Sequence, residues 1–131
     1  MYEISEQFGF VATHELGGAS TCHPHPRVHL HRWTVDIVLV AALLPPANHP
    51  SELVELEPVR RYIARELDGR YLNDVLPDMP TPTNIAVHLA RWCQANLTGF
   101  AATTIFSVGV STGPDSKVRL VMSGRSIRHS G

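Results

Sequence analysis

The chain has 131 residues, 44% of them hydrophobic, with 11 Lys and Arg against 12 Asp and Glu for a formal net charge of −1; this is the size of one self-sufficient core, and a single domain over residues 1–131 is expected. So even a charge balance gives no general attraction to nucleic acid or to a membrane surface. Two cysteines, Cys22 and Cys93, do not make a disulfide framework, and no positively charged start leads into an apolar stretch, so reduced thiols in a cytoplasm are expected.

From Tyr2 to His14 the pattern is that of a strand, with Phe8, Phe10, Ala12 and His14 on one side. A loop rich in Gly, Pro and His spans Gly17 to Arg27. In the next strand His29, His31, Trp33, Val35, Ile37 and Leu39 share one face, and Arg32, Thr34 and Asp36 share the other. Its apolar stretch, Val35 to Leu44, is interrupted by Asp36 and ends at Pro45-Pro46, well short of a membrane span.

After the Pro45 to Pro50 loop, Leu56, Val59, Ile63 and Leu67 fall at helical spacing, with Pro58 in the first turn and Gly69 placed to end the helix. A second helix is expected from Thr81-Pro82, where Thr caps and Pro takes the first helical position, with Ile85, Leu89, Trp92, Cys93 and Leu97 as its buried stripe. Thr103 to Thr112 and Lys117 to Ser123 then read as two strands joined by the turn Gly113-Pro114-Asp115-Ser116, and Ser126 to Gly131 as a tail. The order β-β-α-α-β-β predicts an α+β layer: an antiparallel sheet with two helices on one face.

The chemistry gathers on the first two strands. Alternate residues of a strand point the same way, so His29 and His31 aim two imidazoles at one point and His14 brings a third from the neighbouring strand. Three nitrogen ligands with a free fourth position suit a catalytic zinc site, although nickel, iron or cobalt accepts the same donors, and two ordinary histidines on a half-buried strand give the same spacing by chance. The Gly17 to Arg27 loop is expected to overhang the metal. Cys93, Trp33 and Trp92 read as packing residues, and Arg60, Arg61 and Arg65, alongside Glu57 and Glu66, as a solvated helix face.

Four stretches occur in order: Phe10-Val11-Ala12-Thr13-His14-Glu15-Leu16, Val28-His29-Leu30-His31, Leu67-Asp68-Gly69-Arg70-Tyr71-Leu72-Asn73-Asp74, and Pro80-Thr81-Pro82-Thr83-Asn84-Ile85-Ala86. Together they resemble the 6-pyruvoyltetrahydropterin synthase / 6-carboxytetrahydropterin synthase family. Its members carry F-x-A-A-H-x-L, C-x3-H-G-H, L-D-H-x-Y-L-N-D and P-T-x-E-N-x-A, then a Glu on a late strand. The resemblance implies the T-fold, a β-β-α-α-β-β subunit that closes into an oligomeric barrel, as a trimer or hexamer. It also implies Zn²⁺ on His14, His29 and His31, and lyase chemistry on the side chain of a small pterin-like heterocycle.

The departures lie in the organic half of the implied site. The family's catalytic Cys falls on His25, with Cys22 three residues earlier, and the histidine that comes after Asp68 in the family is Gly69. The Glu of the fourth motif is Thr83, and the late-strand Glu falls near Ser111-Thr112. His25, Cys22 and Asp68 are therefore the candidates for proton transfer, and Thr83, Ser111 and Thr112 for contact with the ring. A carboxylate facing ring N–H groups gives charge-assisted hydrogen bonds that Ser or Thr does not reproduce, so a different ring, or a weaker hold on a pterin, is expected. The alternatives are an enzyme with a non-pterin substrate and a non-catalytic metal- and ligand-binding protein.

Overall fold

The computed structural model describes residues 2–16, 28–41, 56–97 and 105–123. Four strands, β1 (Tyr2–Glu15), β2 (Val28–Ala41), β3 (Ile105–Ser111) and β4 (Val118–Ser123), form one sheet in the order β1-β2-β3-β4. Every neighbouring pair is antiparallel. Between β2 and β3 come α1 (Glu57–Glu66), the single turn α2 (Leu72–Val75) and α3 (Pro82–Asn96). The architecture is the expected α+β one, with α2 as an addition: Leu72, buried, anchors a turn too short to show a helical period.

Strand alternation explains the layering. Phe8, Phe10, Ala12, Trp33, Val35, Ile37, Leu39, Phe106, Val108 and Val110 are all buried on one face, and the helices supply Val59, Ile63, Leu67, Ile85, Leu89 and Cys93 to the same core. Thr81 caps α3 by accepting the Asn84 N–H at 3.1 Å, with Pro82 in the first turn as its fixed φ allows. Gly69 lies beyond the end of α1 with φ of 74°, a left-handed conformation that glycine adopts without steric cost.

One mismatch of length positions the site. β1 and β2 pair over fourteen residues, from Tyr2↔Ala41 to Glu15↔Val28. β3 pairs with β2 only from Thr34 to Val40. The far part of the β1-β2 ribbon therefore projects past the four-stranded sheet. Residues 68–73 line the outer edge of β1 there: Asp68 Oδ1 accepts the Val11 N–H at 2.9 Å, Gly69 N–H donates to Val11 O at 2.7 Å, and Thr13 N–H donates to Arg70 O at 3.0 Å. Asn73 completes the edge, accepting from Glu15 N–H and donating to Glu15 O, each at 2.8 Å. None of the helices among the described residues is long and apolar enough to cross a membrane.

Candidate metal centre on the projecting ribbon

His14 and His29 are direct cross-strand partners, and His31 sits opposite Ala12 on the same face. The ring centroids lie 4.9 Å apart for His14 and His31, 5.9 Å for His29 and His31, and 6.2 Å for His14 and His29. Exposure grades across the cluster: His14 is buried at 5%, His31 is half-buried and His29 is exposed. Trp33 forms the inner wall, fully buried, with its ring edge-on to His14 at 5.1 Å and to His31 at 5.9 Å. It is fixed in turn by stacking on Phe10 and by donating from Nε1 to Ala12 O at 3.2 Å.

His14 has a defined tautomer. Its Nδ1 lies 2.9 Å from the Pro80 carbonyl oxygen, and a carbonyl only accepts, so Nδ1 carries a proton and, in the neutral ring, Nε2 keeps a free lone pair. That is the arrangement of a metal-ligating imidazole with its second nitrogen held by a backbone carbonyl. The pKa of His31 is lowered, first by burial and then by the neighbouring His14 and His29, which favours the neutral form that ligates.

The donor set fits zinc in chemistry and nearly in spacing. Imidazole nitrogens at about 2.1 Å from one ion in a tetrahedral arrangement put ring centroids roughly 5.2 Å apart. The His14 and His31 pair is at that separation, and His29 stands wider of both. As placed, no group of three His, Cys, Asp or Glu among the described residues is gathered tightly enough to hold a metal ion. Closing the set would bring the exposed His29 ring nearer to the other two.

The other candidates divide. Cys22 and His25 lie outside the described residues, as do the loop from Gly17 to Arg27, the Pro45 to Pro50 loop and the tail from Ser126. The Asp68 carboxylate is exposed, and its hydrogen bond to Val11 ties the 68–73 segment to β1. Thr83 is exposed in the first turn of α3, the helix whose leading residue pair Pro80-Thr81 adjoins His14. Ser111 is not brought to the histidines. It pairs with Thr34, on the sheet face opposite to Trp33, and lines an open hollow of about 540 Å³ with Gln7, Thr34 and Lys117. Thr112 comes next, half-buried, just past the end of β3. Beside the cluster, on the β1 edge, the Tyr71 hydroxyl donates to Glu15 Oε1 at 3.2 Å. Sequence reasoning left out the Pro80 carbonyl, since a backbone acceptor carries no side-chain signal.

A four-stranded antiparallel sheet backed by helices, with three histidines on its first two strands, defines a T-fold protein. The profile of the 6-pyruvoyl tetrahydropterin synthase family matches residues 3–121, and the chain belongs to that family. Among solved structures it is similar to the 6-pyruvoyl tetrahydropterin synthase of Caenorhabditis elegans, with a TM-score of 0.68 and 14% identity over 93% of this chain and 96% of that one. An uncharacterized protein from Wolinella succinogenes gives 0.65 and 16% identity over 91% and 97%. A Plasmodium vivax 6-pyruvoyltetrahydropterin synthase carrying a catalytic-residue substitution gives 0.61 and 12% over 93% and 98%. At these identities the likeness is one of fold. No curated protein matches the sequence.

Proposed function

We propose that this tetrahydropterin synthase-like protein is a diverged zinc-dependent lyase that acts on the side chain of a dihydropterin or a related small heterocycle. His14, His29 and His31 hold the Zn²⁺, and the supporting observation is the His14 ring, buried and fixed by Pro80 with Nε2 left free. A zinc ion there supplies Lewis acidity that eases loss of a proton from a substrate hydroxyl.

The chain's own residues do the rest. Trp33 excludes water from the inner side of the cluster and keeps the rings of His14 and His31 from rotating inward. Asp68 holds the 68–73 segment against β1, two residues from Thr13 and close to the ligand strand. Thr83 and Thr112 are assigned to hydrogen bonding with the ring of the substrate. Ser111 joins them only through a change of face at the end of β3, since its alternation directs it elsewhere. The candidate bases, His25 and Cys22, lie outside the described residues. The reading takes the protein as one domain, cytoplasmic, and assembled as a homo-oligomer, trimer or hexamer.

One observation favours a second reading, a metal- and ligand-binding protein without proton-transfer groups. Where the resemblance leads one to expect a histidine stands Gly69, with open space around the position of a Cβ. The discriminating experiment gives zinc-loaded protein 7,8-dihydroneopterin triphosphate and tracks products by mass spectrometry, with His29→Ala as control. Conversion that His29→Ala abolishes supports the lyase. A folded, zinc-bound protein that converts nothing sinks the dihydropterin reading in favour of the binding role or of another substrate.

A further inference from the structure

The Pro80 carbonyl is aimed by a small device of its own. Thr81 N–H donates to Met79 O at 2.8 Å, a bond that spans two residues and makes a three-residue turn centred on Pro80. In such a turn the central residue takes φ of about −75° and ψ of about +65°, and a proline ring already holds φ near −65°, so the bond sets the one remaining torsion. That torsion decides where the Pro80 carbonyl points. The same Met79 oxygen receives a second donor, the side-chain amide Nδ2 of Asn84, also at 2.8 Å. Asn84 is itself anchored, its backbone N–H donating to Thr81 Oγ1 at 3.1 Å in the first turn of α3.

We propose that Asn84 is a positioning residue for His14. Its amide locks the Met79-Pro80-Thr81 turn, the turn aims the Pro80 carbonyl, and the carbonyl holds His14 in one tautomer and one orientation. The functional meaning rests on the metal-site reading above, but the link from Asn84 to His14 stands on hydrogen bonds alone. The Asn84 bond is exposed to solvent, where water competes for both partners, so its effect is directional and its share of the global stability is small. Outer partners of metal-bound histidines act in this manner, and their removal typically lowers metal affinity about 10- to 100-fold.

Asn84→Asp is the informative substitution. It keeps the shape and removes the donor, and an acidic side chain in the first turn of a helix is favourable, so α3 is not weakened. Nitrogen-15 correlation spectra of the metal-free protein report which nitrogen of His14 carries the proton, and competition against a chromophoric chelator reports Zn²⁺ affinity. The native protein is expected to show His14 as a single Nδ1–H tautomer. The variant is expected to show a mixture, with Zn²⁺ affinity lower by up to about tenfold, the low end of what loss of a direct partner gives, and an unchanged thermal midpoint. An unchanged His14 tautomer in the variant overturns the proposal whatever zinc does. So does a tautomer lost together with a large fall in the midpoint, which marks a structural role. If the tautomer is lost as expected but neither protein binds Zn²⁺, the positioning of His14 stands and the metal reading falls. Should Asn84→Asp not fold, Asn84→Ala, a good helix former that also lacks the donor, is read by the same criteria.

Discussion

The Tyr62 hydroxyl meets Nε2 of His88 at 2.6 Å, joining α1 to α3. Tyr62 also stacks on Trp92 with ring centroids 4.5 Å apart. Burial lowers the pKa of His88 and raises that of Tyr62, so at neutral pH the two groups are uncharged and share one hydrogen bond.

This pair is expected to make the protein sensitive to acid. His88 takes up its proton at a lower pH in the folded chain than in the unfolded one, where the ordinary value is 6.5. The unfolded state therefore binds more protons as pH falls below that value, and stability drops until the folded imidazole is itself protonated. Thermal midpoints measured from about pH 7.5 to pH 5 are expected to fall, and His88→Gln, which keeps an acceptor for Tyr62, should flatten the slope. An identical slope in the variant would assign the acid sensitivity to other groups.

Asp36 and Gly109 set a second test. Asp36 lies between Lys117 and Arg119, its Oδ1 2.6 Å from Arg119 Nη2. Burial by itself raises the Asp36 pKa, but the two cations outweigh it and the carboxyl is held below its ordinary range. A Cβ on Gly109 would stand 2.8 Å from Asp36 Oδ1 and 3.0 Å from Arg119 Nη2. Gly109→Ala therefore makes the ends of these two side chains give way and loosens the ion pair, and a loss of up to about 1 kcal/mol is expected in denaturant titrations at neutral pH. Because a depressed carboxyl contributes its stability above the unfolded value of 3.8 and loses it as pH falls through the folded one, the gap between variant and native protein should narrow in acid.

For Asp68 the hydrogen bond to Val11 separates two roles. Asp68→Asn retains an acceptor for the Val11 N–H and is expected to keep both fold and zinc affinity, whereas Asp68→Ala should cost about 1 kcal/mol of stability. A large drop in product formation with Asp68→Asn, at unchanged stability, would show that the carboxylate takes part in proton transfer.

The three histidines differ in burial, and so should their variants. His29→Ala removes an exposed ring and is expected to leave the metal-free midpoint unchanged while abolishing the rise in midpoint expected of the native protein on adding Zn²⁺. His14→Ala removes a buried, hydrogen-bonded ring and should lower the metal-free midpoint as well. Zinc-dependent stabilisation that survives in His29→Ala would mean that the ion binds elsewhere.

Much of the fold was legible because local rules and tertiary packing agreed. Alternation along Phe8 to His14 and along His29 to Leu39 places the same side chains on the core face as the structure does, and Thr81-Pro82 marks the start of α3 to the residue. Cys93 is buried with its thiol pushed up to about 12, consistent with a packing residue. The three histidines do share a face within 4.9–6.2 Å of one another. Less legible was anything that depends on where partners stop. Ser111 and Thr112 form one candidate pair in the sequence, yet neighbours in a strand point to opposite faces, and β3 ends between them. The turn at α2 is too short for periodicity to reveal. The hold of Pro80 on His14 bridges 66 positions through a main-chain oxygen, and no residue type signals it.

The unequal strand lengths bear on how the three candidate ligands are held. Over Thr34 to Val40 β2 has a strand on each side, but over Val28 to Trp33 its strand partner among the described residues is β1 alone. Amides on the one-sided stretch are expected to exchange with solvent sooner than those of the stretch flanked on both sides. His14 is tied to the residues just before α3 through Pro80, while His29 and His31 lie on the stretch of β2 with a strand partner on one side. A coordination shell made of one anchored donor and two that adapt tolerates ions of different radius, so discrimination between Zn²⁺ and other divalent cations would fall to supply in the cell more than to the protein.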